Sequence, residues 1–178
     1  MATRDVVIPI APDSDDIDEQ FAGVLDDLLR RTCDLARALT GAEQAALKID
    51  LAGDGRAVRK LFSLSPRYER WRGYQVDPRG LGLHGIELAR GEVVRLTQAE
   101  VESHPAWRAF GDQAASHPPL RGWLAVAVYG DDGHIHGLLQ LSDKAAGKDF
   151  SAGDGERVLE LAEFAAAMLD ALRQAARP

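Results

Sequence analysis

Thiols and positive charge are scarce in this chain, and each shortage removes a class of function. One cysteine among 178 residues cannot close an intrachain disulfide, so Cys33 suits a reducing compartment better than a secreted, cross-linked fold. A single thiol also cannot complete a disulfide-exchange cycle. No apolar run approaches the ~20 residues that span a bilayer, and the N-terminus lacks the basic-then-apolar order of a secretory signal. A cytoplasmic chain with no membrane contact is expected. Positive charge is in deficit too: 21 Lys and Arg stand against 28 Asp and Glu, a net charge of -7. That balance repels nucleic acid and anionic lipid. No nucleophile-base pair or complete metal-ligand set is visible, so no enzymatic activity is expected.

What the chain does have is 46% hydrophobic residues in patterned segments, enough for one domain. Residues Met1 to Asp18 read as an arm in which Pro9 and Pro12 bar a continuous helix. Asp13 or Ser14 can cap the helix that follows. Phe21, Leu25, Leu28, Thr32, Leu35 and Leu39 then recur at four- and three-residue steps down one helix face, and Gly41 stops it. Ala45, Leu47, Ile49 and Leu51 alternate with Gln44, Ala46, Lys48 and Asp50, which marks a strand with unlike faces. Asp54-Gly55 turns it into a second strand ending at Ser65-Pro66.

Residues 67 to 90 show no sustained period and read as irregular structure with short helices, followed by a short strand at Val93 to Leu96. Thr97 and Glu100 have capping-box spacing, and Ser103-His104-Pro105 can open a second short helix. Trp123 to Tyr129 and His134 to Ser142 read as a hairpin around Gly130-Asp131-Asp132-Gly133. A long helix opens at Ser151 with Asp154 three residues on. The order of elements predicts an α+β domain with an antiparallel sheet and helices segregated to its faces.

From Leu120 onward the chain resembles a GAF domain, a small-molecule sensing module of signalling proteins. The likeness is carried by Arg121-Gly122-Trp123-Leu124-Ala125-Val126, by Asp132-Gly133, by Gly137-Leu138-Leu139-Gln140-Leu141-Ser142-Asp143-Lys144, and by Phe150-Ser151 with Asp154. Pro118-Pro119-Leu120-Arg121-Gly122-Trp123 and Leu141-Ser142-Asp143-Lys144 look most like the GAF domains of bacterial sensor histidine kinases. The resemblance implies a GAF-like domain over residues 19–178: a central antiparallel sheet, terminal helices on one face, a helical and loop insert on the other, and a ligand cavity beneath that insert. It also implies a noncatalytic sensory role in two-component-type signalling, with a partner protein reading the output. A degenerate scaffold serving only dimerisation or docking is the alternative.

On that architecture the ligand-facing residues would be Trp123, Ala125 and Ala127 on one strand and His136, Leu138 and Gln140 on its neighbour. Tyr68, Trp71, His84, Trp107 and Phe110 would come from the insert, with Trp107 or Phe110 filling the space if the cavity is closed. Arg67, Arg70, Arg72, Arg79, Arg90, Arg95, Arg108 and Arg121, interleaved with Tyr68, Trp71 and Tyr74, favour an anionic or aromatic small molecule. An exposed, internally paired face explains the same cluster. No cofactor is named by the pattern. Asp143 and Gly155 depart from the Asn and Glu of cyclic-nucleotide-binding relatives, and Lys144 is expected to pair with Asp154 while Phe150 plugs the core. Cys33 lies outside the insert, where bilin-binding relatives carry their attachment cysteine. His134 and His136 alone fall short of a metal set.

Two heptad-like stripes on the last helix, Val158-Leu161-Ala165-Met168-Leu172 and Leu159-Ala162-Ala166-Leu169, exceed what one sheet face can cover. With the first helix they predict a homodimer.

Overall fold

The computed structural model describes residues 14–50, 58–72, 83, 86, 88–108 and 119–175. Helix α1 spans Ser14–Thr40, and strands β1 and β2 follow at Ala42–Asp50 and Val58–Leu64. A two-turn 3-10 helix, Pro66–Trp71, leads into the middle segment. That segment carries β3 (Val93–Leu96) and the short helix α2 (Gln98–Ser103). Strands β4 (Trp123–Tyr129) and β5 (Ile135–Lys144) precede the closing helix α3 (Ala152–Ala175). The α+β prediction holds. The expected Asp13 cap and the Asp54-Gly55 turn lie outside the described residues.

All five strands form one antiparallel sheet in the order β2-β1-β5-β4-β3. Hairpin partners β4 and β5 are adjacent, as are β1 and β2, and β1 joins the two hairpins through β5. That junction is tight. A Cβ placed on Gly137 would lie 1.8 Å from the Lys48 carbonyl oxygen, so only glycine lets the two strands approach there.

Period-two alternation divides the sheet into two faces. On the first, Leu61, Leu47, Leu139 and Val126 form a transverse row, and Ala45, Leu141 and Leu124 form the next. These residues join Leu25, Leu29, Cys33 and Ala36 of α1 and Val158, Ala162, Ala165, Ala166 and Leu169 of α3 in one buried core. Side chains also tie α1 to β2: Arg37 Nε donates to Ser63 Oγ at 2.9 Å, and Ser63 Oγ donates to Asp34.

Both capping expectations are met by reciprocal hydrogen bonds. At α2, Glu100 N donates to Thr97 Oγ1 while Thr97 N donates to the Glu100 carboxylate. At α3, Asp154 N donates to Ser151 Oγ at 3.2 Å and Ser151 N to Asp154 Oδ2 at 2.7 Å. Lys144 pairs with the same carboxylate, and Phe150 sits in the helix-side core. The second short helix expected after His104 is, over residues 105–108, a turn: Trp107 N donates to the His104 carbonyl at 2.8 Å.

Candidate functional site

The second face of the sheet is organised in rows that the pairing register fixes. Lys60, Lys48, Leu138 and Ala127 lie side by side across β2, β1, β5 and β4. The next row holds Phe62, Ala46, Gln140, Ala125 and Val94, and the third holds Leu64, Gln44, Ser142, Trp123 and Leu96. Five of the anticipated residues, Trp123, Ala125, Ala127, Leu138 and Gln140, therefore do share this face.

Its β4 side is filled. Trp123 and Ala125 are fully buried, and Leu138 nearly so, in a second apolar cluster with Leu83, Leu88 and Val101. Trp107, Ile86, Ala106 and Leu120 pack against that cluster. Trp107 thus covers the β3–β4 half of the face, as the closed-cavity alternative supposed for this residue. One polar contact sits within it: Trp123 Nε1 donates to Gln140 Oε1 at 3.2 Å.

At one end of the face, the buried Asp143 gathers three segments. Gln44 Nε2 donates to its Oδ2, and Arg121 N to its Oδ1, each at 2.8 Å; Gln44 also reaches the Pro119 carbonyl. Asp143 adopts a φ of 58°, a left-handed conformation that aspartate tolerates better than most residues. Burial raises its pKa above the ordinary aspartate value despite those bonds. Tyr68 is buried nearby, its phenol pushed up first by burial and then by Asp143. Trp71 lies 5.3 Å from the Tyr68 ring.

His136 does not join the site. Strict alternation places it with Leu138 and Gln140, but a register shift between Val128 and Tyr129 introduces a bulge, which re-aims the side chains around it. The buried imidazole instead meets α3, with Nε2 2.7 Å from Asp170 Oδ1. Asp131 N donates to Asp170 Oδ2 at 2.8 Å. Burial drives the Asp170 pKa upward, but the bonds from Asp131 and His136 more than offset it and hold this carboxyl below its ordinary value. His134 lies edge-on to His136 at 5.2 Å. His84 and Phe110 lie outside the described residues.

The described arginines of the middle segment are largely engaged within the chain. Arg67 and Arg70 lie over the rings of Tyr68 and Trp71, Arg72 pairs with Glu69, and Arg95 donates to the Phe150 carbonyl. Arg90 stands 3.8 Å from Asp131 beside a groove of about 250 Å³ at the sheet edge. Ala127, Tyr129 and, from α3, Leu159, Glu163 and Ala166 line that groove.

Sequence reasoning missed the β1–β2 side of the second face. Lys48 and Lys60 are cross-strand partners, both half-buried, and Lys60 Nζ lies 5.2 Å from the Phe62 ring centroid. Burial, and then Lys48, lowers the Lys60 pKa to about 8. The signal was Ala46 and Phe62: an alanine at mid-strand on the polar side and an aromatic opposite it make a poor solvent-facing surface. Cys33, by contrast, is buried on the inner face of α1, its thiol pushed up to about 12 by burial and then by Asp34, far from a reactive thiolate.

Among the described residues, no helix is long and apolar enough to cross a membrane, and no three His, Cys, Asp or Glu side chains converge as a metal site. The family model described as GAF domain matches residues 24–169. Solved structures share the fold at low identity. The GAF domain of a phosphoenolpyruvate-protein phosphotransferase from Coxiella burnetii is 18% identical, with 90% of this chain and 92% of that one covered at a TM-score of 0.64. A GAF domain/HD domain protein from Geobacter sulfurreducens is 17% identical, with 86% and 98% covered at 0.62. The blue-light absorbing form of the PixJ GAF domain of Thermosynechococcus elongatus is 16% identical, with 86% and 89% covered at 0.62. With the match spanning α1 to α3 and the sheet in the expected arrangement, this chain belongs to the GAF domain family.

Proposed function

We propose that this chain is a noncatalytic sensory GAF domain of the cytoplasm that binds a small molecule on the second face of its sheet. Occupancy would be relayed through α1 and α3 to a signalling partner, in a two-component-type pathway. The observation that carries this reading is the division of labour in the sheet. The first face is sealed by two long helices, whereas the second combines a Trp-Gln contact, a buried carboxylate hub and two half-buried lysines. The Trp-Gln contact and the carboxylate hub are satisfied within the chain, whereas the charged neighbour of Lys60 is another lysine, an arrangement that costs stability without a counterion. Binding proteins place a few such groups among apolar walls to fix a ligand.

Neighbours in structure include a light-absorbing PixJ domain and a domain of a phosphotransferase, which supports a sensory or regulatory role. Native mass spectrometry of the purified chain tests the reading, followed by melting with a metabolite panel. A retained small molecule, or a midpoint raised in a concentration-dependent way, is expected. Ala46→Trp, placed between Phe62 and Gln140, should abolish the effect while the fold persists. If no compound raises the midpoint, the scaffold reading takes its place. Val24, Leu35 and Leu39 on α1 and Phe164 on α3 are half or more exposed. That exposure suits a homodimer under either reading.

A further inference from the structure

We propose that Lys48 and Lys60 hold the anionic group of the small molecule on this face, and that the ligand is a carboxylate or phosphate carried on a short aromatic or apolar body. The proposal rests on the sensory reading above and adds the chemistry of its ligand.

Two ammonium groups directly opposite each other on neighbouring strands repel, and both are half-buried, where water screens that repulsion poorly. Among the described residues neither lysine forms an ion pair, and the main charged neighbour of Lys60 is Lys48, not a carboxylate. The arginines described above are committed to rings, carboxylates or carbonyls, whereas these two lysines adjoin each other across the strands. An anion lying between the two side chains turns the repulsion into two charge-assisted hydrogen bonds. Around the pair the floor is apolar and low. Phe62 lies beside Lys60, the small side chain of Ala46 is two residues from Lys48 on the same face, and Leu138 adjoins Lys48 on β5. Strands ~4.8 Å apart make this floor only a ring or two wide, which fits a small planar anion. A nucleic acid or an acidic protein is disfavoured by the chain's net charge of -7.

The test is an NMR titration of the full chain with phenyl phosphate and benzoate, alongside benzylammonium and benzyl alcohol, repeated on Lys48→Met and Lys60→Met. Both anions are expected to shift residues 46, 48, 60, 62 and 138 saturably. Each methionine variant, which keeps the aliphatic stem, should weaken them by about tenfold or more. The variants should melt at or above the wild-type temperature because a repulsion has been removed. Undiminished anion binding in both variants overturns the lysine clamp and leaves the sensory reading standing, as does equal binding of benzylammonium or benzyl alcohol on the same residues. A lower melting temperature in both variants overturns it too, since each lysine would then have a stabilising partner within the protein. Should no compound shift any residue of this face, the clamp and the sensory reading fall together.

Discussion

Lys60 and Asp154 both have lowered pKa values, but for opposite reasons: the charged form destabilises at Lys60 and stabilises at Asp154, and in each case stability rises with pH. Burial favours the neutral amine of Lys60, so its folded value is about 8 against an ordinary lysine value of 10.5. Between those values the unfolded chain holds the extra proton, and stability therefore rises with pH across the window. Denaturant unfolding followed from pH 7.5 to 10.5 should show a gain on the order of 1–2 kcal/mol in the wild type that Lys60→Met lacks. An identical gain in both proteins would assign the effect to another group. For Asp154, burial raises the pKa, but Lys144 and the Ser151 bonds outweigh it and hold the carboxyl below its usual value. Its stabilisation is present above the ordinary carboxylate range and is lost as pH falls below it. Asp154→Ala removes the α3 cap and strands Lys144, which is expected to cost about 2–3 kcal/mol at neutral pH. Urea denaturation should show that deficit shrinking in acid.

Between strands and helices, the β4–β5 hairpin shows where a sequence pattern stops being sufficient. Alternation identified Leu124, Val126, Val128, Leu139 and Leu141 as one face and Trp123, Ala125, Leu138 and Gln140 as the other, because a regular strand leaves each side chain only two directions. His136 escaped that logic, since a bulge is set by hairpin geometry and by contacts with α3 that no local period encodes. Lys48 and Lys60 escaped for another reason: a charged residue in an alternating strand reads as solvent-facing, and its burial depends on long-range packing that no local pattern encodes. The Lys144-Asp154 pair and both capping boxes were legible because their partners are within ten residues of one another. Gly130 belongs with the long-range features. A Cβ there would lie 2.7 Å from both His136 Nε2 and Asp170 Oδ1, so a larger residue has to displace one or both of these side chains. Gly130→Ala is accordingly expected to separate the turn from α3. Hydrogen exchange should rise in residues 129–136 and in the last two turns of α3, while β1 and α1 keep their protection. Uniformly faster exchange would mean instead that the whole domain had been destabilised.

Over the whole molecule, the terminal helices carry more apolar surface than one sheet face can absorb. The predicted stripe on α1 splits in the structure. Leu25 and Thr32 turn inward with Leu29, Cys33 and Ala36, while Leu35 and Leu39 stay half exposed beside Val24. On α3 the two predicted stripes merge into one buried band at Val158, Ala162, Ala165, Ala166 and Leu169, with Leu161, Met168 and Leu172 along its margin and Phe164 60% exposed. Since α1 and α3 pack against each other, burying this surface in a second copy would couple both terminal helices across a two-fold axis, where each residue gained on one subunit is gained twice. The same exposure explains why the contact should be sensitive to single charges: a carboxylate buried there has no partner to offset its desolvation. Light scattering after gel filtration should therefore give a dimer for the wild type at micromolar concentration and a monomer for Leu35→Glu and Phe164→Glu. Both variants should keep the wild-type circular dichroism, because neither side chain contributes to the buried core. A wild-type chain that elutes as a monomer would instead require the helices to relay occupancy to a partner of different sequence.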